Sequence, residues 1–242
     1  GCEKNRGDAE MMMARLREAG FVLKDDAAGA DAAIVNTCGF IESAKAESIE
    51  EILELAKLKK EGKIRALIVT GCMAERYREE VRRELPEADA VCGIGADGDI
   101  AEIVRRALEG EHPEVFPEKE KLPLEGKRVR STPSYYTYLK IAEGCDNRCA
   151  YCAIPMIRGP YRSRELERIV PEAAALAAAG VKELILIAQD VTRYGKDLRD
   201  GSRLPELLRR LCRIDGLRWI RLLYCYPDAI TDELLDVMAN EK

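Results

Sequence analysis

Three cysteines lie within eight residues of one another near the middle of the chain, and their spacing suits an inorganic cluster. Cys145, Cys149 and Cys152 form a C-x3-C-x2-C pattern directly after the strand-like run at 138–142. Thiolates are the usual ligands of iron–sulfur clusters, and a [4Fe–4S] cube normally takes four of them. A structural zinc ion also requires four ligands, and neither a second cysteine pair nor a histidine lies nearby. We therefore predict a cluster with one iron open to another ligand.

A second group of three cysteines is spread over the first half of the chain. Cys38 and Cys72 each follow a predicted strand at once, and Cys2 lies just before the first predicted helix. Because sites in open parallel sheets form at the carboxyl ends of the strands, these three thiols can converge. A single cysteine in such a place is more simply a small buried hydrophobic residue. For the three together, we predict a second three-thiolate cluster. The plain packing interpretation is kept for the remaining cysteines, Cys92, Cys212 and Cys225.

The elements that must position these cysteines alternate between strand and helix. Strands are predicted at 32–36, 64–70, 88–92, 138–142, 183–188 and 217–226, and helices at 8–19, 41–60, 74–85, 100–108, 165–179, 204–214 and 231–239. This alternation implies an α/β fold with parallel sheets. We predict an N-terminal open parallel-sheet α/β domain at 1–108, a linker rich in proline and charge at 109–133, and three βα units of a barrel at 134–242.

Composition limits the classes of function. Apolar residues make up 47% and charged residues 34% of the chain, as in soluble globular proteins, and no apolar run approaches the length of a membrane span. The formal net charge of −5 gives no broad basic surface for nucleic acid. Nine cysteines, six of them assigned to clusters, indicate a reducing, cytoplasmic location rather than a disulfide framework.

Three further features can be interpreted either as ordinary structural or solvated segments or as binding sites. Gly93–Gly98 matches G-x-G-x-x-G, but a helix and a proline-containing segment follow it, so we interpret it as a glycine turn rather than a dinucleotide site. His112 is the only histidine, and we expect it to be solvated. Arg158–Arg164 is a basic loop that either is solvated or holds a carboxylate or phosphate, and both alternatives stay open.

The C-x3-C-x2-C pattern with Tyr151 before its third cysteine resembles the signature of radical S-adenosylmethionine enzymes. The resemblance implies that S-adenosylmethionine binds the open iron and is cleaved to a 5′-deoxyadenosyl radical that abstracts hydrogen. It further implies that Tyr151 lines the adenine pocket. Gln189 and Asp190, at the carboxyl end of a predicted strand, are expected to contact the cofactor.

The whole pattern is similar to the methylthiotransferase branch of that family, through Gly1–Asn5, Asn36–Ser43 and Gly144–Pro155. The resemblance implies two [4Fe–4S] clusters, an auxiliary one on Cys2, Cys38 and Cys72 and a radical-forming one on Cys145, Cys149 and Cys152. S-adenosylmethionine would both supply a methyl group at the auxiliary cluster and form the radical. A low-potential electron donor and a sulfur donor would be partners.

Two substrates compete within this branch. The segments at 138–144, 188–195 and 221–228 look like enzymes that modify the β-carbon of an aspartate in protein twelve of the small ribosomal subunit. The alternative substrate is an adenosine of tRNA next to the anticodon. A non-catalytic iron–sulfur scaffold or electron carrier is a third alternative, but the missing fourth thiolate at both sites favours an enzyme.

The resemblance also suggests a chain shortened at both ends. The family usually has six βα units and a small C-terminal β-barrel, so we expect this chain alone to be inactive. The run at 217–226 would be an exposed apolar edge strand, and we expect the second half to fold poorly in isolation.

Overall fold

The computed structural model describes residues 1–241, in which the chain divides into two units. The first unit comprises Gly1–Val129 and, from later in the chain, Met156–Arg158. The second comprises Arg130–Pro155 and the chain from Gly159 onward. No helix in the described range is long and apolar enough to cross a membrane.

The first unit is a parallel sheet with helices on both faces. Its strands are β1 (Ala32–Thr37), β2 (Ala66–Gly71), β3 (Ala90–Cys92) and β4 (Glu114–Val115), and its helices are α1 (Glu3–Glu18), α2 (Glu42–Lys60), α3 (Cys72–Arg76), α4 (Arg78–Glu84) and α5 (Ile100–Leu108). The strands pair in sequence order, and every pair is parallel. The register of β1 against β2 runs from Ala32 opposite Ala66 to Thr37 opposite Gly71.

The central strand β2 explains the layered arrangement, because all six of its residues are buried. Leu67 and Val69 point into one core with α2, whereas Ala66 and Ile68 point into the other core with α1 and α5. A strand covered on both faces reads as a continuous apolar run, which is how this one is recognised in the sequence. Cys92 is fully buried in the core beside α5, in agreement with its packing interpretation.

Three features of the first unit differ from the sequence predictions. The helix predicted at 74–85 is broken at Tyr77 (φ −123°, ψ 44°) into α3 and α4. Helix α1 begins at Glu3, five residues before the predicted start. The predicted linker contributes β4 to the sheet and a 3-10 turn at Lys119–Lys121. A two-residue strand is too short to show an alternating pattern, so composition alone could not reveal it.

The second unit is built on a three-stranded parallel sheet. Its strands are β5 (Tyr136–Lys140), β6 (Ala142–Glu143), β7 (Arg162–Ser163), β8 (Glu183–Ile187) and β9 (Trp219–Leu222), and its helices are α6 (Ile154–Arg158, whose last three residues are grouped with the first unit), α7 (Leu166–Ala178), α8 (Leu204–Cys212) and α9 (Asp232–Asn240). The parallel sheet has the order β5-β8-β9, and β6 pairs with β7 antiparallel. Helices α7, α8 and α9 supply most of the apolar side chains that cover it.

The last strand is shorter than predicted, but it is an edge strand with an exposed apolar side chain, as expected. The sequence predicts 217–226, whereas β9 spans four residues at the edge of the sheet and alternates between exposed and half-buried positions. Trp219 is 68% exposed. The residues after Leu222 leave the ladder, and Tyr224 adopts a positive φ of 67° that a regular strand does not allow.

Candidate functional site

The first cysteine set lies at the carboxyl end of the sheet of the first unit. Since Thr37 pairs with Gly71 at the end of β1 and β2, the residues that follow them, Cys38 and Cys72, occupy equivalent positions. The amide of Cys38 donates to Ser48 Oγ of α2 at 3.1 Å. Cys2 is the N-cap residue of α1. The register therefore places two of the predicted ligands at adjacent strand ends, as the sequence predicted.

A reciprocal pair of amides joins the start of α1 to the end of β1. Asn5 Nδ2 donates to Asn36 Oδ1 at 2.7 Å, and Asn36 Nδ2 donates to the carbonyl of Asn5 at 2.8 Å. Asn5 Nδ2 also lies 3.2 Å from the carbonyl of Thr37. These bonds fix the segment that carries Cys2 beside the strand that carries Cys38. The sequence alone does not indicate a role for either asparagine, although both lie in the motifs that carry the resemblance.

Two glycines permit the close approach of the strand ends. Gly71 has a φ of +94°, and a Cβ there would lie 2.4 Å from Asn36 Oδ1 and 2.6 Å from the carbonyl of Thr37. A Cβ on Gly39 would lie 2.7 Å from the Cα of Met73. Neither position has room for a side chain, so the glycines beside Cys38 and Cys72 are required by the packing of the loops.

Cys72 is buried against a cation. One guanidinium nitrogen of Arg158 lies 3.5 Å from Cys72 Sγ and 2.9 Å from Asp8 Oδ2. Burial raises the pKa of Cys72, and the positive charge of Arg158 acts in the opposite direction. All three residues belong to the first unit.

The second cysteine set lies on one loop, whose start is fixed by its backbone. Gly144 has a φ of +74°, and a Cβ there would lie 2.0 Å from the carbonyl of Pro160. The amide of Cys145 donates to the carbonyl of Gly159 at 3.1 Å, and the amide of Cys152 donates to that of Cys149 at 2.9 Å. Cys145 is buried, and this burial raises its pKa.

Asp190 holds this loop from the end of β8. Its Oδ2 accepts a hydrogen bond from Asn147 Nδ2 at 2.9 Å, and its Oδ1 accepts from the amide of Thr192 at 3.1 Å. Its carbonyl accepts from the hydroxyl of Tyr161 at 2.8 Å. Asp190 is 1% exposed. Asp190 therefore anchors the cysteine loop through Asn147, and its predicted contact with the cofactor stays a prediction.

The other two predicted cofactor contacts, Gln189 and Tyr151, differ in their exposure. Gln189 is half-buried, and the side chain of Tyr151 is 86% exposed. The sequence did not indicate a role for Tyr226, which lies beside Cys149. The negative charge of a Cys149 thiolate raises the pKa of the Tyr226 hydroxyl. Cys225 is exposed, although the packing interpretation expected it to be a buried core residue.

The arginines at the two ends of the basic loop at 158–164 are not solvated, so the solvated-loop alternative does not hold for them. Arg158 and Arg164 are both buried, and each pairs with a carboxylate of the chain itself, Asp8 and Glu172 respectively. Polar side chains this deeply buried are tolerated because they are paired.

The glycine turn at 93–98 has a packing explanation. A Cβ on Gly93 would lie 2.0 Å from Glu75 Oε2, which accepts a hydrogen bond from the amide of Ile94 at 3.1 Å. The turn continues into a 3-10 segment at Ala96–Gly98 and then into α5. His112 is exposed.

The chemistry of the donors can be compared with that of the predicted clusters. The cysteines of both sets are unpaired thiols. Within residues 1–241, no three His, Cys, Asp or Glu side chains converge as they would around a single metal ion. In a cube, by contrast, each cysteine binds a different iron, so the thiols stand farther apart. Each set offers three thiols, the donors that such a cluster takes, and their assignment as ligands stays a prediction.

Comparison with known proteins matches the first and the second half of the chain to different families. The profile described as uncharacterized protein family UPF0004 matches residues 1–93, and that of the radical SAM superfamily matches residues 139–242. The structure resembles that of the radical S-adenosylmethionine methyltransferase TsrM from Kitasatospora setae, with a TM-score of 0.65 over 99% of this chain and 55% of that one. At 15% identity, this likeness concerns the fold alone.

Similar sequences carry the name ribosomal protein uS12 methylthiotransferase RimO. The relative from Desulforamulus reducens is 56% identical over 99% of this chain and 54% of its own length. The relative from Lachnoclostridium phytofermentans is 52% identical over 100% of this chain and 55% of its own length. The chain thus spans about half the length of these relatives. Over its whole length the chain is thus similar to the RimO proteins, and its second half matches the radical SAM superfamily.

Proposed function

We propose that this chain carries the two cluster sites of a methylthiotransferase that replaces a hydrogen on the β-carbon of an aspartate of ribosomal protein uS12 with a methylthio group. The observation that carries the proposal is the presence of two separate three-thiol sets, one in each unit. A simple electron carrier would complete each cube with a fourth cysteine. The substrate is taken from relatives that are about 50% identical and bear that name.

The proposed division of labour assigns one cluster to each unit. Cys2, Cys38 and Cys72 would hold an auxiliary [4Fe–4S] cluster, and Cys145, Cys149 and Cys152 would hold the cluster to which S-adenosylmethionine binds. When bound, these groups would supply a hydrogen-abstracting radical and the methylthio group that replaces the hydrogen. A low-potential electron donor and a sulfur donor would serve them, in the cytoplasm where ribosomes are modified.

The residues of the chain have specific tasks in this proposal. In the first unit, the Asn5–Asn36 pair would hold the segment of Cys2 beside that of Cys38. In the second unit, Asp190 would hold the cysteine loop through Asn147. The exposed side chain of Tyr151 leaves its backbone beside Cys152 as the part that would meet the adenine. Gln189, half-buried at the same strand end, would contact the cofactor.

The test compares two substrates with the full-length protein. After anaerobic reconstitution, the protein would be incubated with S-adenosylmethionine, a reductant, sulfide and either ribosomal protein uS12 or tRNA. We expect 5′-deoxyadenosine to form and the aspartate to gain one methylthio group by mass spectrometry. Methylthiolation of tRNA instead would move the assignment to the adenosine branch. Complete absence of 5′-deoxyadenosine with either substrate would contradict radical chemistry.

A further inference from the structure

Arg158 is buried in a way that needs an explanation. Only 1% of its surface is exposed, and it is among the largest side chains that are completely enclosed. Burying a guanidinium costs several kcal/mol of desolvation unless the charge is closely paired. An arginine is therefore retained at such a position only where its charge is matched within the site.

The contacts of Arg158 place its charge beside a predicted cluster ligand. One guanidinium nitrogen donates to Asp8 at 2.9 Å and lies 3.5 Å from the sulfur of Cys72. Asp8 belongs to α1, the helix that begins directly after Cys2. Within the ion pair, it is therefore the positively charged Arg158 that contacts the sulfur of Cys72. An ion pair that served only to neutralise the buried charge of Arg158 would not require contact with a thiol.

Hydrogen bonds to ligand sulfurs and nearby positive charge are known determinants of iron–sulfur potentials. Both remove electron density from the thiolate and favour the more negative, reduced form of a cluster. Outer partners of this kind also fix the orientation of the ligand itself. Loss of the cation should therefore lower the reduction potential, and loss of its counterion should raise it.

We propose that Arg158 is a positioning residue of the auxiliary site, which directs an N–H···S hydrogen bond to Cys72 and sets the reduction potential of the cluster there, with Asp8 moderating its charge. The inference rests on the proposed function in that it requires a cluster on Cys2, Cys38 and Cys72. It predicts effects of opposite sign from two residues that form one ion pair.

The experiment isolates the auxiliary cluster in the full-length protein. Cys145, Cys149 and Cys152 are replaced by alanine, so that only one cluster is reconstituted. Its reduction potential is then measured by anaerobic titration followed by electron paramagnetic resonance. In this background we compare Arg158→Met, Arg158→Lys and Asp8→Asn. The matched control is Arg164→Met, which removes another buried arginine, one that pairs with Glu172 in the second unit.

The expected results differ in sign. Arg158→Met should shift the potential downward, Asp8→Asn should shift it upward, and Arg158→Lys should fall between Arg158→Met and the background. Arg164→Met should reduce thermal stability without shifting the potential. If Arg158→Met does not fold, the sign found for Asp8→Asn and for Arg158→Lys decides the question.

Two negative results have different meanings. About four irons in the background protein, with equal potentials in every variant, would overturn the role of Arg158 and leave the proposed function intact. A background protein that binds no iron after reconstitution would overturn the auxiliary site, and this inference with it.

Discussion

The two cysteine sets differ in what brings their members together. In the first unit, the thiols come from positions 2, 38 and 72, and their proximity depends on the register of β1 against β2 and on the Asn5–Asn36 pair. In the second unit, the thiols share one loop, which a glycine at its start and one anchor from β8 hold in place. A long-range site should therefore fail when the fold around it is disturbed, whereas a local site should fail only when its own loop is disturbed.

The surroundings of the two sets differ as well. Cys72 is buried and contacts an arginine cation that is itself buried. Cys149 and Cys152 are half-buried, and both have an exposed tyrosine nearby. Tyr151 directly precedes Cys152 in the sequence, and Tyr226 lies beside Cys149 in the structure. Each set has one buried cysteine, Cys72 or Cys145, and two half-buried ones, so the sets differ in the side chains beside the thiols rather than in the burial of the thiols.

The largest expected effect comes from Gly71→Ala. Its Cβ would meet the side chain of Asn36 and the backbone of Thr37 at a positive φ, and we expect a loss of about 3–5 kcal/mol of stability from strain and steric overlap together. The first cluster should be lost with it. Gly62→Ala is the control, since Gly62 also has a positive φ but has no atom within 4 Å of the added Cβ.

For that control, we expect a loss of only about 1–2 kcal/mol, from backbone strain. Chemical denaturation and iron analysis would measure both variants. Equal losses of stability in the two would show that the close approach at the strand ends is not what holds the first site.

Gly144→Ala is the corresponding change in the second unit. Its Cβ would overlap the carbonyls of Pro160 and Gly159, so the start of the cysteine loop must move. We expect the cluster on Cys145, Cys149 and Cys152 to be lost while the first is retained. Gly180→Ala, at a positive φ in open space, should retain both. Loss of both clusters in Gly144→Ala would contradict the independence of the two sites.

Asn36→Ala should have a smaller effect, also confined to one site. It removes the bonds to Asn5 and leaves a buried amide without that partner, at a cost of about 1–3 kcal/mol. We expect partial loss of iron from the first set only. Asn147→Ala, which removes the contact with Asp190, should instead affect the second set. Indistinguishable iron losses and spectra in the two variants would argue against separate anchors.

The smallest effect near neutral pH concerns a cysteine outside both sets. Burial raises the pKa of Cys92 to about 12, above the usual value of about 8.5 for an unfolded thiol. The folded state therefore favours the neutral thiol, whose contribution to stability is complete below about pH 8.5 and is lost as the pH rises toward 12. Cys92→Ala should remove this part of the alkaline decline in unfolding free energy and leave the iron content unchanged. A loss of iron would assign Cys92 to a cluster.

The sequence predicted the strands and the cysteines at their ends because the apolar runs of β1 and β2 are continuous and the cysteines follow them directly. It did not predict the Asn5–Asn36 pair, since the bonds between residues so far apart depend on the packing of α1 against the sheet. The burial of Arg158 and Arg164 could not be predicted from the sequence for a similar reason. Arg158 and Arg164 lie in a segment that contains three arginines, one glycine and one proline, which normally indicates a solvated loop. Their carboxylate partners cannot be identified from spacing alone.

The central claim is that each unit carries its own cluster, and counting iron and acid-labile sulfide tests it most directly. The full-length protein and a variant with Cys2, Cys38 and Cys72 replaced by alanine would be reconstituted anaerobically and compared. We predict about eight irons per chain in the parent and about four in the variant, since each cube contains four. About four irons in both proteins would mean that the cysteines of the first unit only pack, and would contradict the two-cluster account.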